Sequence, residues 1–288
     1  MTLIQKYNVP GPRYTSYPTV PYWKEEDFSL SKWKETLVHS FTESNSSEGI
    51  SLYIHLPFCE SLCTFCGCNK RITKRHDVEH PYIDAILKEW ELYCELLPKK
   101  PIIKEIHLGG GTPTFFSPEN LERLITGLFE NAATHPEHEF SFEGHPNNTT
   151  RAHLQKLYDL GFRRVSFGVQ DYSETVQKAI HRVQSFHNVA KVTFWAREIG
   201  YTSVGHDLIF GLPFQTLADV KDTIDKTKSL QRSCYGKRPR KFIWKSKHRI
   251  RLKKNLKQAL PFRKPVPSCF GTPSSRSVFW TSYSAWTP

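Results

Sequence analysis

The sequence predicts an α/β fold of parallel strands, and three observations carry that reading. From residue 49 to about residue 230, five short runs rich in β-branched and aromatic residues alternate with amphipathic segments of helical period, the pattern of repeated β-α units. Polar residues and glycines collect at the C-terminal ends of those runs: Cys59, Gly109 to Thr112, Glu143, Gln170 and Asp207. Parallel α/β sheets build their sites along that edge. Beyond about residue 230 the alternation stops. Five units curling the same way suggest a barrel-like or partial-barrel sheet, although periodicity alone does not separate it from a flat, doubly wound one.

Taken in order, residues 1–48 read as an aromatic, proline-rich arm (YNVPGPRYTSYPTVPYW) followed by a short helical stretch. Proline fixes φ and restricts the residue before it, so the arm favours extended or turn structure. Strands are expected at residues 50–56, 102–108, 139–143, 164–169 and 203–210, with helices at 80–97, 118–134, 150–160, 173–180 and 186–199. A further helix, LADVKDTIDKTKSL, follows the turn of Gly211, Leu212 and Pro213. The chain therefore divides into an arm (1–48), a strand-helix body (49–230) and a tail (231–288).

The 288 residues carry a net charge of +12, but unevenly. Residues 226–288 hold 17 Lys and Arg and no Asp or Glu, which leaves 23 basic against 28 acidic side chains, a net of −5, on the rest. Basic residues without an organised face give salt-sensitive, non-specific binding, so no specific nucleic-acid partner is expected. Acidic residues occupy about one position in eight before residue 226; at that rate an acid-free run of this length has a chance of roughly a few in ten thousand. A functional basic tail is the conventional reading. The composition favours another, a coding sequence interrupted or out of frame near residue 230, with 231–288 disordered or irregular. No apolar run is long enough to span a membrane, and the start, MTLIQKYNVPGPRY, lacks the pattern of a secretory signal. Four of the seven cysteines lie between Cys59 and Cys68, a cluster that reads as metal ligation in a reducing cytoplasm rather than a disulfide framework.

The stretch that carries chemistry is Cys59-Glu-Ser-Leu-Cys63-Thr-Phe-Cys66-Gly-Cys68-Asn69. A C-x3-C-x2-C loop sets three thiolates around one face of an iron–sulfur cubane and leaves the fourth iron open. The spacing alone also admits a zinc site with Cys68 as fourth ligand. A second motif, Gly109, Gly110, Gly111, Thr112 and Pro113, follows the second strand directly. Glycines there let the backbone approach a ligand that a Cβ would block, although alone such a run is usually a tight loop. Together the two motifs resemble the radical S-adenosylmethionine superfamily, in which the open iron chelates the amino and carboxylate groups of S-adenosylmethionine and the glycine motif binds its methionine end.

Seven segments in order, RYTSYPT at 13–19, YIHLPFCESLCTFCGCN at 53–69, GGGTPT at 109–114, FEGHP at 142–146, FGVQD at 167–171, HR at 181–182 and DLIFGLP at 207–213, resemble oxygen-independent coproporphyrinogen III dehydrogenases of haem biosynthesis. The resemblance covers residues 1 to about 230. It implies a partial (β/α) barrel, truncated after about five strand-helix units, with a [4Fe–4S] cluster on Cys59, Cys63 and Cys66 and two S-adenosylmethionine molecules. The first would lie on Tyr53, Gly110 and Glu143, the second near Phe65, Gly111, Thr112, Gln170, Arg182 and Asp207. Cys68 would be a required, non-ligating cysteine, and it and Tyr53 are the catalytic candidates. The implied reaction converts two propionates of coproporphyrinogen III to vinyl groups: a 5′-deoxyadenosyl radical abstracts a β-hydrogen, carbon dioxide leaves, and an acceptor takes the last electron. The implied partners are that porphyrinogen and a reductant for the cluster, with the chain a monomer. The family continues through a sixth strand, a cap and a C-terminal domain, so this chain is expected to be inactive or barely active.

The residue chemistry agrees, since Glu143 and Asp207 can accept from ribose hydroxyls or an ammonium, and Arg182 can fork onto a carboxylate. Taken singly, each is an ordinary strand-end polar residue. His55 and His107 read as strand-end hydrogen bonders, Cys94 as a buried small side chain, and Cys234 and Cys269 carry no argument. Arg13, Tyr14 and Tyr17 either meet the substrate or merely pack on the sheet. The competing readings are a haem-binding chaperone or a haem-degrading relative on the same scaffold, and a non-functional pseudogene product.

Overall fold

The computed structural model describes residues 28–232, together with residues 5, 6 and 24 and a short strand at 278–280. Seven α-helices are described, α1 (Leu30–Ser44), α2 (Glu79–Leu96), α3 (Pro118–Glu130), α4 (Arg151–Asp159), α5 (Glu174–Ala179), α6 (Phe186–Ile199) and α7 (Leu217–Arg232), with short 3-10 helices at His76–Val78 and Pro113–Phe115. The main sheet holds β1 (Ile50–Leu56), β4 (Ile102–Gly110), β5 (Ala133–Gly144), β6 (Phe162–Gln170), β7 (Ser203–Leu208) and β8 (Val278–Trp280). Two further strands, β2 (Phe58–Cys59) and β3 (Arg71–Ile72), pair with each other alone.

The order across the sheet is β7-β6-β5-β4-β1-β8, every pairing parallel. From β1 to β7 it follows the chain without a reversal. A doubly wound sheet reverses at its switch point, so the structure settles the question periodicity left open in favour of a partial barrel wall. The N-terminal helix α1 packs Leu37 and Phe41 into the core.

Local signals account for the elements. In α3, Leu121, Leu124, Ile125 and Leu128 are buried, the i, i+3, i+4, i+7 stripe of a helix lying on a sheet. Its cap Ser117 accepts from Asn120 N, with Pro118 in the first turn, where a missing N–H costs nothing. Thr150 and His153 form a reciprocal capping box on α4. Gly200, at φ 119°, ends α6 in the left-handed conformation that favours glycine. The sheet's buried face supplies Ile103, Ile106, Leu108, Phe140, Phe142, Phe162 and Phe167, all 1% exposed or less.

Several boundaries differ from expectation, and three of the differences are informative. The helix expected to reach residue 134 stops at Glu130, because Ala133 and Thr134 pair with Ile102 and Ile103 at the start of β5. The last body strand ends at Leu208, two residues early, where Ile209 N turns back to donate to Gln170 O at 3.0 Å. The tail lies outside the described residues except for Gln231 and Arg232, which end α7, and Val278–Trp280, which pair with Ser51, Leu52 and Tyr53. Among the described residues the far side of β7 has no partner strand.

Candidate active site

The cysteine loop leaves the C-terminal end of β1 and is pinned at both ends. Arg71 N donates to Pro57 O and Thr73 N to Cys59 O, both at 2.9 Å, so residues 59–72 form a closed loop. Inside it Lys70 Nζ donates to Cys66 O at 3.1 Å and Cys68 O at 3.3 Å, and Asn69 O meets His55 Nε2 at 2.7 Å. The thiols sit in unlike surroundings. Burial raises the Cys59 pKa although its Sγ lies 3.3 Å from Thr112 Oγ1. Cys66 is pushed down to about 5 by a hydrogen bond from Cys68, whose own thiol is raised by the same bond and by burial. The two thiols share this bond and so titrate as a pair.

The glycine motif meets this loop directly. Gly111 N donates to Leu56 O at 2.9 Å and Thr112 N to Phe58 O at 3.0 Å. A Cβ on Gly111 would stand 2.5 Å from Pro57 O, and one on Gly110, whose φ is 115°, 2.9 Å from the His55 ring. Besides leaving room for a ligand, the glycines let β4 close against the cysteine loop.

Along the same edge, Tyr53 stacks on His107 with ring centroids 5.8 Å apart, and its hydroxyl lies 3.1 Å from His55 Nδ1. Burial, then the Glu143 charge, raises the Tyr53 pKa. His107 Nε2 stands 3.5 Å from Glu143 Oε1 while its Nδ1 meets Ser141 Oγ at 2.8 Å. Asp207 accepts from Ser166 Oγ at 2.8 Å, and partial loss of hydration raises its pKa although the residue is exposed. Gln170 has a positive φ of 67°, the sort of backbone strain that gathers at functional sites. Arg182 Nη2 donates to Gly168 O at 2.6 Å and Nη1 to Cys63 Sγ at 3.6 Å. Phe65 packs instead with Val176, Ile180 and Leu212. Cys59, Gly110, Glu143, Gln170 and Asp207 therefore stand on one edge. His55 and His107 are hydrogen bonders, and Cys94 is half-buried, its thiol raised to about 11 by burial. Arg13, Tyr14, Tyr17, Cys234 and Cys269 lie outside the described residues.

Sequence reasoning missed several groups here. Asp171, wholly buried, accepts from Ser173 N and Gln215 Nε2, both at 2.6 Å. Ser166 and His145 also escaped it, the latter lowered to about 3 by burial and then by the Arg182 charge. Their motifs, FGVQD and FEGHP, were the available signal.

The donor set fits a cluster better than a single ion. Among the described residues no three of His, Cys, Asp and Glu converge on one metal position. Zinc needs its ligands at about 2.0–2.3 Å from one point, whereas a cubane binds each thiolate at a separate iron. The charges of Cys63 and Cys66 are nonetheless felt at Cys59, so the three share one neighbourhood. Arg182 Nε is buried without a partner, a spare donor that suits a carboxylate-bearing cofactor.

A parallel partial barrel with a three-cysteine loop and a glycine motif at its mouth defines a class. The profile described as the radical SAM superfamily matches residues 53–227, and the chain belongs to that superfamily, whose members use a [4Fe–4S] cluster and S-adenosylmethionine. The chain is 41% identical over 223 residues to the oxygen-independent coproporphyrinogen III oxidase of Helicobacter pylori, covering 76% of this chain and 48% of that one. It is 36% identical over 232 residues to the enzyme of the same name from Pseudomonas aeruginosa, covering 80% and 49%. The coproporphyrinogen III oxidase structure from Escherichia coli, described as a radical SAM enzyme, superposes with a TM-score of 0.70 at 35% identity, covering 79% and 49%. The chain spans about half the length of these relatives. No described helix is long and apolar enough to cross a membrane.

Proposed function

We propose that this edge binds a [4Fe–4S] cluster on Cys59, Cys63 and Cys66, with S-adenosylmethionine beside it, and that the chain carries the radical-generating part of a coproporphyrinogen III decarboxylase. The observation that carries the reading is the meeting of cysteine loop, glycine motif and strand-end carboxylates at one mouth. Bound there, the cluster and cofactor supply a 5′-deoxyadenosyl radical. The chain's own groups hold and orient. Glu143, steadied by His107, and Asp207, steadied by Ser166, accept from cofactor hydroxyls or ammonium; Tyr53, Gly110, Gly111 and Thr112 shape the floor; Gln170 and Arg182 form the far wall, while Phe65 packs on Val176, Ile180 and Leu212. Cys68, two residues beyond the ligand Cys66, is the non-ligating cysteine of the loop. The five described cysteines are free, which suits a reducing cytoplasm.

Anaerobic reconstitution should give about four iron and four sulfide per chain, and Cys59→Ala, Cys63→Ala or Cys66→Ala should each abolish loading. Stoichiometric zinc without iron would overturn the reading. Among the described residues the far side of β7 is unpaired, and Phe210 and Phe214 beside it are 78% and 77% exposed; an open edge of that kind invites aggregation. Turnover is read separately, in an anaerobic assay with S-adenosylmethionine, a reductant and coproporphyrinogen III.

A further inference from the structure

Across the mouth from the cysteine loop, the turn joining α5 to α6 is built on two buried glutamines, Gln177 and Gln184, 4% and 3% exposed. Gln177 Nε2 donates to Asp171 O at 2.8 Å and Gln184 O at 2.9 Å, and its Oε1 accepts from Gln184 N at 3.0 Å. Gln184 Nε2 donates to Gly168 O at 3.1 Å and also to Val169 O. Arg182 N donates to Gln177 O at 2.9 Å. The turn is thereby fastened to the end of β6.

Three contacts run from this turn to the cysteine loop. Thr64 N donates to Ile180 O at 3.1 Å, Thr64 Oγ1 to Ala179 O at 3.4 Å, and Arg182 Nη1 to Cys63 Sγ at 3.6 Å. The guanidinium is aimed from its other side by the bond to Gly168 O, where a Cβ would stand 2.7 Å from Nη2. A long, flexible side chain is thus held in one pose before any ligand arrives.

From this geometry we infer that Arg182 is a positioning residue for the cluster, setting its reduction potential through a charged hydrogen bond to the Cys63 thiolate. A cationic donor on a ligating sulfur stabilises the form carrying the extra electron, and hydrogen bonds to sulfur are among the levers that set cluster potentials. The role is compatible with holding a cofactor carboxylate, because Nε remains a spare donor. The inference rests on Cys63 being a cluster ligand.

The test is an anaerobic redox titration of the reconstituted 288-residue chain, followed by electron paramagnetic resonance without S-adenosylmethionine, so that cofactor binding plays no part. Arg182→Gln and Arg182→Met should load iron as the parent does and show a midpoint shifted to more negative values. Arg164→Gln, which removes an exposed charge paired with Glu139 at the other end of β6, should leave the midpoint in place. If Arg182→Met fails to load, Arg182→Gln carries the comparison. Loaded variants with the parent's midpoint, or an equal shift in Arg164→Gln, would overturn the inference. A parent chain that loads no cluster would instead overturn the ligand assignment beneath it.

Discussion

Gly67 lies within the cysteine loop and Gly111 meets that loop from the glycine motif, yet their hydrogens face different surroundings. A Cβ on Gly67 would meet nothing within 4 Å, whereas one on Gly111 would press on the Pro57 carbonyl. Backbone cannot swing aside as a side chain can, so Gly111→Ala must shift β4 away from the cysteine loop. The expected cost is about 1–3 kcal/mol, read as a lower urea midpoint and weaker iron loading. Gly67→Ala should stay within about 0.5 kcal/mol of the parent. Equal midpoints for the two variants would show that the glycine motif is not a packing device.

Elements are joined around the site by single buried groups, and Glu79 at the start of α2 is the clearest. Its residue is 1% exposed, yet it accepts from Ser117 N at 2.8 Å and Asn120 Nδ2 at 2.7 Å and pairs with His76 Nδ1 at 2.6 Å. It thereby fastens the exit of the cysteine loop to the capped start of α3, which follows the glycine motif. Removing a buried acceptor strands its donors, and bonds to a charged partner are worth about 1.5–3 kcal/mol. Glu79→Ala should lose about that much in urea unfolding, and Glu79→Gln should recover part of it, since an amide oxygen can still accept from Ser117 N. No difference between Ala and Gln would mean the side chain only fills space.

For the whole molecule, acid sensitivity follows from histidines kept neutral inside the fold. Burial lowers His145 to about 3 and His206 to about 4, and His206 Nε2 is bonded to Thr193 Oγ1 at 2.9 Å. An unfolded histidine titrates near 6.5. Below that pH the unfolded chain takes up protons the folded one refuses, so stability present above about pH 6.5 is lost as pH falls toward 4. Between pH 7 and 5 each site should contribute a loss on the order of 1–2 kcal/mol. His206→Gln should flatten the pH dependence of the urea midpoint relative to the parent; an unchanged slope would place the sensitivity elsewhere.

The sequence by itself determined the strand-helix repeat, the cysteine loop, the glycine motif and their place along one edge, because each is written in residues close together in the chain. Period, caps and turn glycines act over a few positions, and α6 fell at residues 186–199 as expected. The tertiary structure alone decided the rest. The first residues of β5, Ala133 and Thr134, have no strand pattern of their own and are extended because β4 offers them Ile102 and Ile103. Glu79 meets Ser117 38 residues away, and Arg182 meets Cys63 119 residues away. Such contacts leave no periodic trace, since what fixes them is the shape of the folded sheet edge and the need of every buried donor and acceptor for a partner.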